Sequence, residues 1–462
     1  MGTLTALLNL SQNTLQASQS AIDITANNVA NANTPGYVVQ VATWQENDTV
    51  RIGDSAPVGE GASVNAISQR DKILNYRINQ QTQQESFSAA EGVALSDLQS
   101  IFAVTSTSTS AASTTLGADL DAFFNSLSAL EASPASGSVR QGLISSAATL
   151  ASDFNSASNQ ISQQAQGLNQ QASGMVDQVN SLTASIAKLN LQIGSISPNS
   201  DAGTLEDRRQ QDLTQLSTLI GFDQTRTENN GLTLTTANGE PLVSGGQTFP
   251  LGTAIVNGNT DILSASGRDI TSDLAGGSLG GILQARDKDL RQASSALDTL
   301  AYAIGTAVND QNIAGLDAYG NQGGEVFILP ATSARAASVI SLVTNDPNAI
   351  AAAAVGQGSS GNGNASILAG LALSKLAGSQ TAAGFYASFL TQLGSTISRV
   401  VSENTTQKAS LTQLTTQQSS QSSVSLNQEA ANLTLYERSY NAAARVFTTA
   451  ISRSVKRRLS AQ

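Results

Sequence analysis

The side chains that most often do chemistry are missing from this sequence. It contains no His and no Cys, which removes imidazole bases, thiol nucleophiles, disulfides and the commonest transition-metal ligands together. A Ser–Lys dyad is the nucleophilic option left, but there are few lysines along the chain and none is expected in an S-x-x-K context. Glu206-Asp207 and Asp287 with Asp289 could pair as general acid and base. Both pairs fall on helical stretches rich in Arg, so solvated faces or ion pairs are expected. The run Gly276-Gly277-Ser278-Leu279-Gly280-Gly281 suggests a phosphate loop, but no Lys-Ser/Thr follows it and its spacing is not that of a dinucleotide fingerprint. A flexible turn is expected there. Lys456-Arg457-Arg458 is short and has no aromatic neighbours. It reads as a solvated helix end in a favourable dipole rather than a nucleic-acid or membrane contact. No catalytic, cofactor or metal residue is assigned, and the chain reads as a non-enzyme.

Composition agrees. The 462 residues carry 34 acidic and 23 basic side chains, a net charge of -11, against the concentrated basic surface that phosphate binding needs. Only 12% are charged, about half of the usual ~25%. A surface poor in charge is easily buried against neighbours, since each charge removed from water needs a partner. No Lys or Arg precedes Arg51, and polar residues interrupt every apolar stretch. Neither a secretory signal nor a membrane helix is expected.

The elements follow from periodicity. Over the first thirty residues Leu8, Leu15, Ile22 and Val29 recur every seven positions, one thin apolar stripe on a polar rod. Thr34-Pro35-Gly36-Tyr37 ends it as a type II turn. A second helix spans about 70–102 with Ile73, Tyr76, Phe87, Ala94, Leu98 and Ile101 on its stripe. Residues 103–115, rich in Ser, Thr and Ala, read as a linker. Between Pro134 and Pro198 a three-four apolar spacing, from Leu143 to Ile196, predicts coiled-coil-like packing over a length of roughly 90 Å, with Gly167 and Gly174 as places for a bend. Residues 201–282 change character: a short helix at 205–220, then Asn-Gly pairs between β-type runs. They predict a strand-rich, independently closed insert. Helical pattern resumes at 283, 312–364 is irregular, and helices return at about 365–377 and 384–420. The last forty residues carry a seam of Leu426, Ala430, Leu433, Tyr440, Ala444, Phe447 and Ile451. The fold class is mainly α, with long coiled-coil-like helices, paired terminal helices and a small inserted strand-rich domain. The domains are 1–42 with 424–462, 43–200 with 283–423, and 201–282.

The twelve residues Ala26-Asn27-Asn28-Val29-Ala30-Asn31-Ala32-Asn33-Thr34-Pro35-Gly36-Tyr37 do not need to be so rich in Asn to make a helix and a turn, because Asn is a mediocre helix former. The segment resembles the N-terminal signature of the flagellar rod, hook and hook-associated protein family. Leu205-Glu206-Asp207-Arg208, Ile270 to Gly277, Leu279-Gly280-Gly281 and Glu429-Ala430-Ala431-Asn432-Leu433 with Tyr436, Tyr440 and Arg445 extend the resemblance along most of the chain. They favour the members at the hook–filament junction over rod and hook subunits.

This resemblance implies a structural subunit of the extracellular flagellum at that junction, exported unfolded by the flagellar type III apparatus. Its partners would be copies of itself, the hook protein, the next hook-associated protein toward the filament, and a cytoplasmic export chaperone on the C-terminal helix. No nucleic acid, membrane or cofactor is implied. The assembly interface would comprise Leu8, Leu15, Ile22, Asn27, Asn28, Val29, Asn31, Asn33, Pro35, Gly36 and Tyr37 with Leu426, Leu433, Tyr440, Arg445, Phe447 and Ile451. Each terminal helix has one narrow seam and cannot bury itself alone, so in the free subunit both ends, about 1–40 and 425–462, should be disordered or frayed and should fold when neighbours supply the other face. A hook or rod subunit, and a cytoplasmic coiled-coil adaptor, are the alternatives; the second leaves the asparagine-rich signature unexplained.

Overall fold

The computed structural model describes residues 2–34, 36–50, 58–102, 116–196, 202–227, 230–358 and 360–459. The first helix, α1, spans Gly2–Ala30. Four strands follow: β1 (Gln40–Glu46), β2 (Thr49–Val50), β3 (Val58–Gly59) and β4 (Ala62–Ser68). They form one antiparallel hairpin, β1 on β4 with Val41 opposite Ile67, and β2 on β3 toward its tip. Sequence periodicity did not signal this hairpin, because its alternation is half-buried at best. It packs on α1.

Helix α2 (Lys72–Phe102) then begins the body. Of the expected stripe Ala94 and Leu98 are buried and Tyr76, Phe87 and Ile101 half-buried, but at the start of the helix the inward face is one residue off: Ile73 is 75% exposed, while Leu74 and Ile78 are buried. The linker read over 103–115 lies outside the described residues. Helix α3 (Leu116–Ala132) is an addition to the sequence reading. Leu116, Leu120, Phe123, Leu127 and Leu130 alternate four and three apart and are all buried.

Helix α4 (Gly137–Gly194) is one unbroken element of 58 residues, about 87 Å at 1.5 Å per residue. Ser136 caps it, its hydroxyl accepting from the Val139 N–H. Gly167 and Gly174 do not break it. Leu143, Ala147, Leu150, Phe154, Ala157 and Ile161 are buried along its three-four stripe.

Helix α5 (Thr204–Leu219) leads into a four-stranded antiparallel sheet in sequential order, β5 (Asp223–Arg226), β6 (Leu232–Thr235), β7 (Pro241–Ser244) and β8 (Gln247–Thr248). A second hairpin joins β9 (Gly252–Val256) and β10 (Asn259–Leu263). Asn257 and Gly258 at its tip both have positive φ, as a type I′ turn requires. The insert is not independently closed. Three asparagines of α4 clamp it: Asn190 Nδ2 donates to Leu232 O and Gly245 O, Asn180 exchanges two bonds with Leu251, and Asn169 takes the Thr260 N–H and donates to Gly258 O. Leu234, Leu242, Val243 and Ile262 of the insert also join the main core.

Helix α6 (Gly277–Gln284) runs through one π turn at Ala285–Leu290 into α7 (Arg291–Ile313). The irregular stretch after it holds four two-residue strands: β11 (Gly315–Leu316) pairs with β14 (Ala353–Ala354), and β12 (Phe327–Ile328) with β13 (Ser341–Leu342). Helices α8 (Ala336–Val339) and α9 (Gly363–Gly370) are short, and one 3-10 turn follows α9 where a longer helix was expected. Helices α10 (Ala382–Ser422) and α11 (Leu426–Leu459) complete the chain. Helix α10 returns along α2 on a largely polar seam. Gln418 donates to Asn75 Oδ1, Gln81 to Gln407 O and Asn404 to Glu85 O, around one small apolar cluster of Leu74, Ile78, Leu411 and Leu414.

The glycine run at 276–281 is a packing device rather than a flexible turn. Gly277 has φ +65°, and a Cβ there would stand 2.3 Å from Ile220 N; a Cβ on Gly281 would stand 2.3 Å from Phe87 O. Helices α2, α5 and α6 cross here with backbones nearly touching. Gly281→Ala should therefore lower stability by at least about 1–3 kcal/mol, as overpacking does. Gly174→Ala, on the open side of α4 with nothing within 4 Å, should raise it by up to about 1 kcal/mol. Urea unfolding of the two variants should give shifts of opposite sign.

Burial also sets a pH dependence. Glu91 on α2 is 2% exposed. Its carboxyl is pushed up from 4.5 to about 7, first by burial and next by Asp289, while Arg399 pulls it down. Asp153, beside Asp119, is likewise raised to about 7, chiefly by burial. The folded state holds these protons more tightly than the unfolded chain. Their contribution is thus fully present below the unfolded value and lost as pH rises through the folded one. Glu91→Gln keeps the neutral shape. It should gain stability relative to the parent as pH goes from about 4.5 to 8, measured by urea midpoints across that range; a constant difference would contradict the assignment.

Candidate assembly site

The asparagine-rich segment closes a knot between the terminal helices and the body. Asn28, 1% exposed on the last turn of α1, uses both ends of its amide. Its Oδ1 accepts from Tyr37 Oη at 2.8 Å and from the Gln40 N–H at 2.9 Å, and its Nδ2 donates to Gln40 O at 2.7 Å. The side chain thus pairs with the backbone of β1 as a strand would. The loop between is set locally. Asn31 Nδ2 donates to Asn27 O, Thr34 Oγ1 donates to Asn31 Oδ1, and the Tyr37 N–H donates to Thr34 O across the turn. Gly36 adopts φ +78° and lies against Gln211 of α5, where a Cβ would meet Nε2 at 2.7 Å. Pro35 lies outside the described residues. Asn33 is exposed and makes none of these bonds.

Three further contacts tie this loop down. The Val39 N–H donates to Ser422 O at the end of α10, and the Gln69 N–H donates to Val39 O. Tyr37 sits near Asp207 of α5 and Glu429 of α11. Burial first, then these two carboxylates, push its hydroxyl up to about 12, so it stays protonated and keeps donating to Asn28. Arg70, just before α2, bonds Glu206 and Asp207 together and reaches Gly203 O at 3.3 Å. All three side chains are at most 7% exposed. The Glu206-Asp207 pair is therefore a buried ion cluster, not a solvated face, and its carboxylates are held by a guanidinium rather than free for acid–base work.

The two ends of the chain supply each other's missing face. Helices α1 and α11 pack along one another, with the hairpin on α1, and Trp44 of β1 meets Tyr436 of α11 with ring centroids 6.1 Å apart. The most buried positions of α1 are Ser11, Ala17, Ser18, Ala21, Thr25 and Asn28, and those of α11 are Glu429, Ala443 and Ala450. Small side chains at the contact let the backbones approach. The large apolar residues expected in the seam lie at its flanks. Leu8, Leu15, Ile22, Leu433 and Phe447 are half-buried, Asn27 and Arg445 are exposed, and Asn31 is intermediate. Val29 is 46% exposed, and Leu426, Tyr440 and Ile451 lie outward with Leu7, Leu435, Val446 and Val455. By helical spacing Leu426, Tyr440, Ile451 and Val455 share one flank of the buried face of α11, and Leu435 and Val446 the other, so exposed apolar side chains border the contact on both sides.

Among the described residues nothing else gathers into a reaction centre. Against expectation, Ser185 and Lys188 of α4 do have the S-x-x-K spacing. Ser185 Oγ donates to Asp212 Oδ2 at 2.6 Å, and Lys188 is exposed. Asp287 binds Arg286 Nε and Nη2. Among the described residues no three His, Cys, Asp or Glu side chains could hold a metal, and no helix is long and apolar enough to cross a membrane.

Residues 102–327 match the family described as the flagellar hook-associated protein FlgK helical domain. Residues 8–37, which contain Asn28 and the turn, match the family of the flagella basal body rod protein. The chain is thus similar to flagellar hook-associated and rod proteins in both its body and its N-terminal helix. It is also similar to flagellar hook-associated protein 1 of Salmonella typhimurium (strain LT2), 28% identical over 339 residues, which is 70% of this chain and 59% of that protein. It is 27% identical to that of Escherichia coli (strain K12), over 71% of this chain and 60% of the other. The chain thus spans about 60% of the length of these two relatives. The Bacillus subtilis (strain 168) protein is 26% identical over 96% of this chain and 95% of its own length. The structure of the flagellar hook junction protein FlgK from Burkholderia pseudomallei shares the fold, with a TM-score of 0.68 over 76% of this chain and all of that one, at 19% identity.

The family signature has a physical content here: its second asparagine pairs the end of α1 with the start of β1. Asn28→Ala would strand the Tyr37 hydroxyl and both polar groups of Gln40, at about 1–3 kcal/mol for each buried group left unpaired. Hydrogen exchange should show the Gln40 and Tyr37 amides losing protection, while those of α4 between 143 and 161 keep theirs. Unchanged protection at Gln40 would contradict the arrangement.

Proposed function

We propose that the chain is a structural, non-catalytic subunit of the bacterial flagellum that forms the junction between hook and filament. In this reading it is exported by the flagellar type III apparatus and assembled outside the cell at the hook tip. The observation that carries the reading is the terminal pair: its inner face is closed by small residues, while Leu426, Tyr440 and Ile451 on one flank of α11 and Leu435 and Val446 on the other stay exposed. Exposed apolar side chains grouped in this way mark association surfaces. The partners are copies of the same chain, the hook protein on one side and the next hook-associated protein on the other. An export chaperone holds α11 before secretion. The residues assigned to the assembly interface, from Leu8 to Tyr37 and from Leu426 to Ile451, act there directly or, like Asn28, by fixing the angle of the pair. Residues 1–42 with 424–462 form the inner unit, the long helices the next layer, and 201–282 an outward-facing part that is docked on α4 rather than free.

A hook or rod subunit is the second reading, favoured by the rod-family match over 8–37. Expression in a strain lacking its own junction protein separates the two. Restored filaments on pre-existing hooks are expected. Hooks that stay bare, with flagellin lost to the medium although this chain is secreted, would contradict the junction role.

A further inference from the structure

A polar groove runs between α4 and α7. It has a volume of about 370 Å³ and is lined by side chains of α4, of α7 with the π turn before it, of α8 and of β10. The two long helices are antiparallel here. Arg286 reaches Asn169 at one end, and at the other Asn155 of α4 and Asp298 of α7 both bond the backbone of Ala337 in α8. Ser158 and Ser162, one turn apart, line the groove from α4. Arg291, Ser294 and Asp298, at three-four spacing, line it from α7.

The backbone arranges its charges. Residues five apart on an α-helix diverge by about 140°, but the wider π turn at Ala285–Leu290 brings Arg286 and Arg291 to the same side. Arg286 is buried and fully used, donating to Asn169 Oδ1, Thr260 O and Asp287. Arg291 is 68% exposed, with a long 3.6 Å ion pair to Asp287. Arg335, at the cap of α8, is exposed too. The carboxylate of the lining, Asp298, accepts the Arg335 N–H on one oxygen and the Ala337 N–H on the other. From Arg291 to Asp298, where Arg335 is anchored, is about 10 Å along α7 at 1.5 Å per residue. Two exposed guanidiniums thus flank a row of hydroxyls.

The lining chooses among ligand classes. Peptides are captured by a free strand edge, an apolar groove or an aromatic-lined one. Among the described residues no aromatic side chain lines this groove. The outward edge of β10 is already taken, the Thr260 N–H by Asn169, Thr260 O by Arg286 and the Ile262 N–H by Thr271. Single-stranded nucleic acid needs aromatic platforms beside its basic groove. Hydroxyls that both donate and accept, between guanidinium forks suited to oxyanions, fit a sugar chain that carries anions. We propose that this groove binds an acidic oligosaccharide, its anionic groups on Arg291 and Arg335 and its hydroxyls on Ser158, Ser162 and Ser294. The site lies in the body of the chain, and binding there does not depend on the junction role.

The test titrates trigalacturonate, the neutral maltotriose and inorganic phosphate into the purified full chain, followed by isothermal calorimetry. Trigalacturonate is expected to bind, and the other two much more weakly. Arg291→Gln with Arg335→Gln should weaken trigalacturonate by about tenfold or more, the effect of losing hydrogen bonds to charged groups. Ser158→Ala with Ser162→Ala should weaken it by a smaller factor. None of these four positions is buried, so urea midpoints should stay close to the parent's. Arg438→Gln with Lys456→Gln removes the same charge from exposed positions of α11 and should leave binding unchanged. Absence of trigalacturonate binding, equal binding of maltotriose, or an equal loss from the α11 variant would overturn the proposal. Phosphate binding as tight as the trisaccharide's would overturn it as well, since that marks a site for a free oxyanion.

Discussion

Helices α1 and α11 are the two ends of one chain, and a side-chain amide fixes the angle at which the first of them leaves the body. Asn28 joins the last turn of α1 to Gln40, the first residue of β1, with two hydrogen bonds and to the Tyr37 hydroxyl with a third, all 2.9 Å or shorter. In a buried place that combination is demanding. The amide has to accept twice and donate into a backbone carbonyl, and no other side chain of that length offers both. Asp could not donate, and Leu would strand the Tyr37 hydroxyl and the Gln40 backbone. The loop, the hairpin and the end of α10 are registered on this point, and Arg70 ties it to α5 through two buried carboxylates. The terminal pair is therefore an arm with a set direction rather than a tail.

The same economy recurs in the body. Few charges are available, so amides take the places where another protein would use ion pairs. Asn169, Asn180 and Asn190 stand about three turns apart on α4 and fasten the strand-rich insert to it. Asn404, Gln407 and Gln418 line the seam between α10 and α2. Neutral hydrogen bonds cost less desolvation than buried charges. They fix register by geometry, because a slipped helix leaves its amides unpaired. Apolar packing supplies the bulk of the stability in the α3–α4 layer, where Phe123, Leu127, Leu130, Leu150 and Phe154 are almost fully buried. The amides decide which alignment of the long helices is the native one.

Much of this was legible in the sequence. The long helix of 137–194, the stop at Thr34–Tyr37 and the Asn-Gly hairpin at 257–258 follow from periodicity and turn chemistry. The absence of His and Cys narrowed the chemistry that any site could do. What stayed hidden has three physical causes. The inner face of α1 is made of Ser, Ala and Thr, which carry little hydrophobic signal, so the periodic Leu8, Leu15 and Ile22 took the eye although they flank the contact. The β1–β4 hairpin buries only one weak face. Gly277 and Gly281 are close-approach residues, and a glycine run looks the same in sequence whether it serves flexibility or contact. The dependence of the insert on α4 was hidden for a related reason: single asparagines on a long helix look solvated until their partners, more than forty residues away in all three cases, are seen.

The central claim is that the apolar flanks of the terminal pair are exposed in the single chain and covered in the assembled flagellum. Single-cysteine labelling tests it directly, because the chain contains no cysteine of its own. Leu435→Cys on one flank and Ile255→Cys on strand β9 are both well exposed positions, at 59% and 82%. The free chain should react with a maleimide at either site at comparable rates. In assembled flagella the cysteine at 435 should be protected by at least about tenfold, an occlusion worth roughly 1.4 kcal/mol or more, while the one at 255 keeps its rate. Equal labelling of position 435 in the free and assembled states would contradict the account.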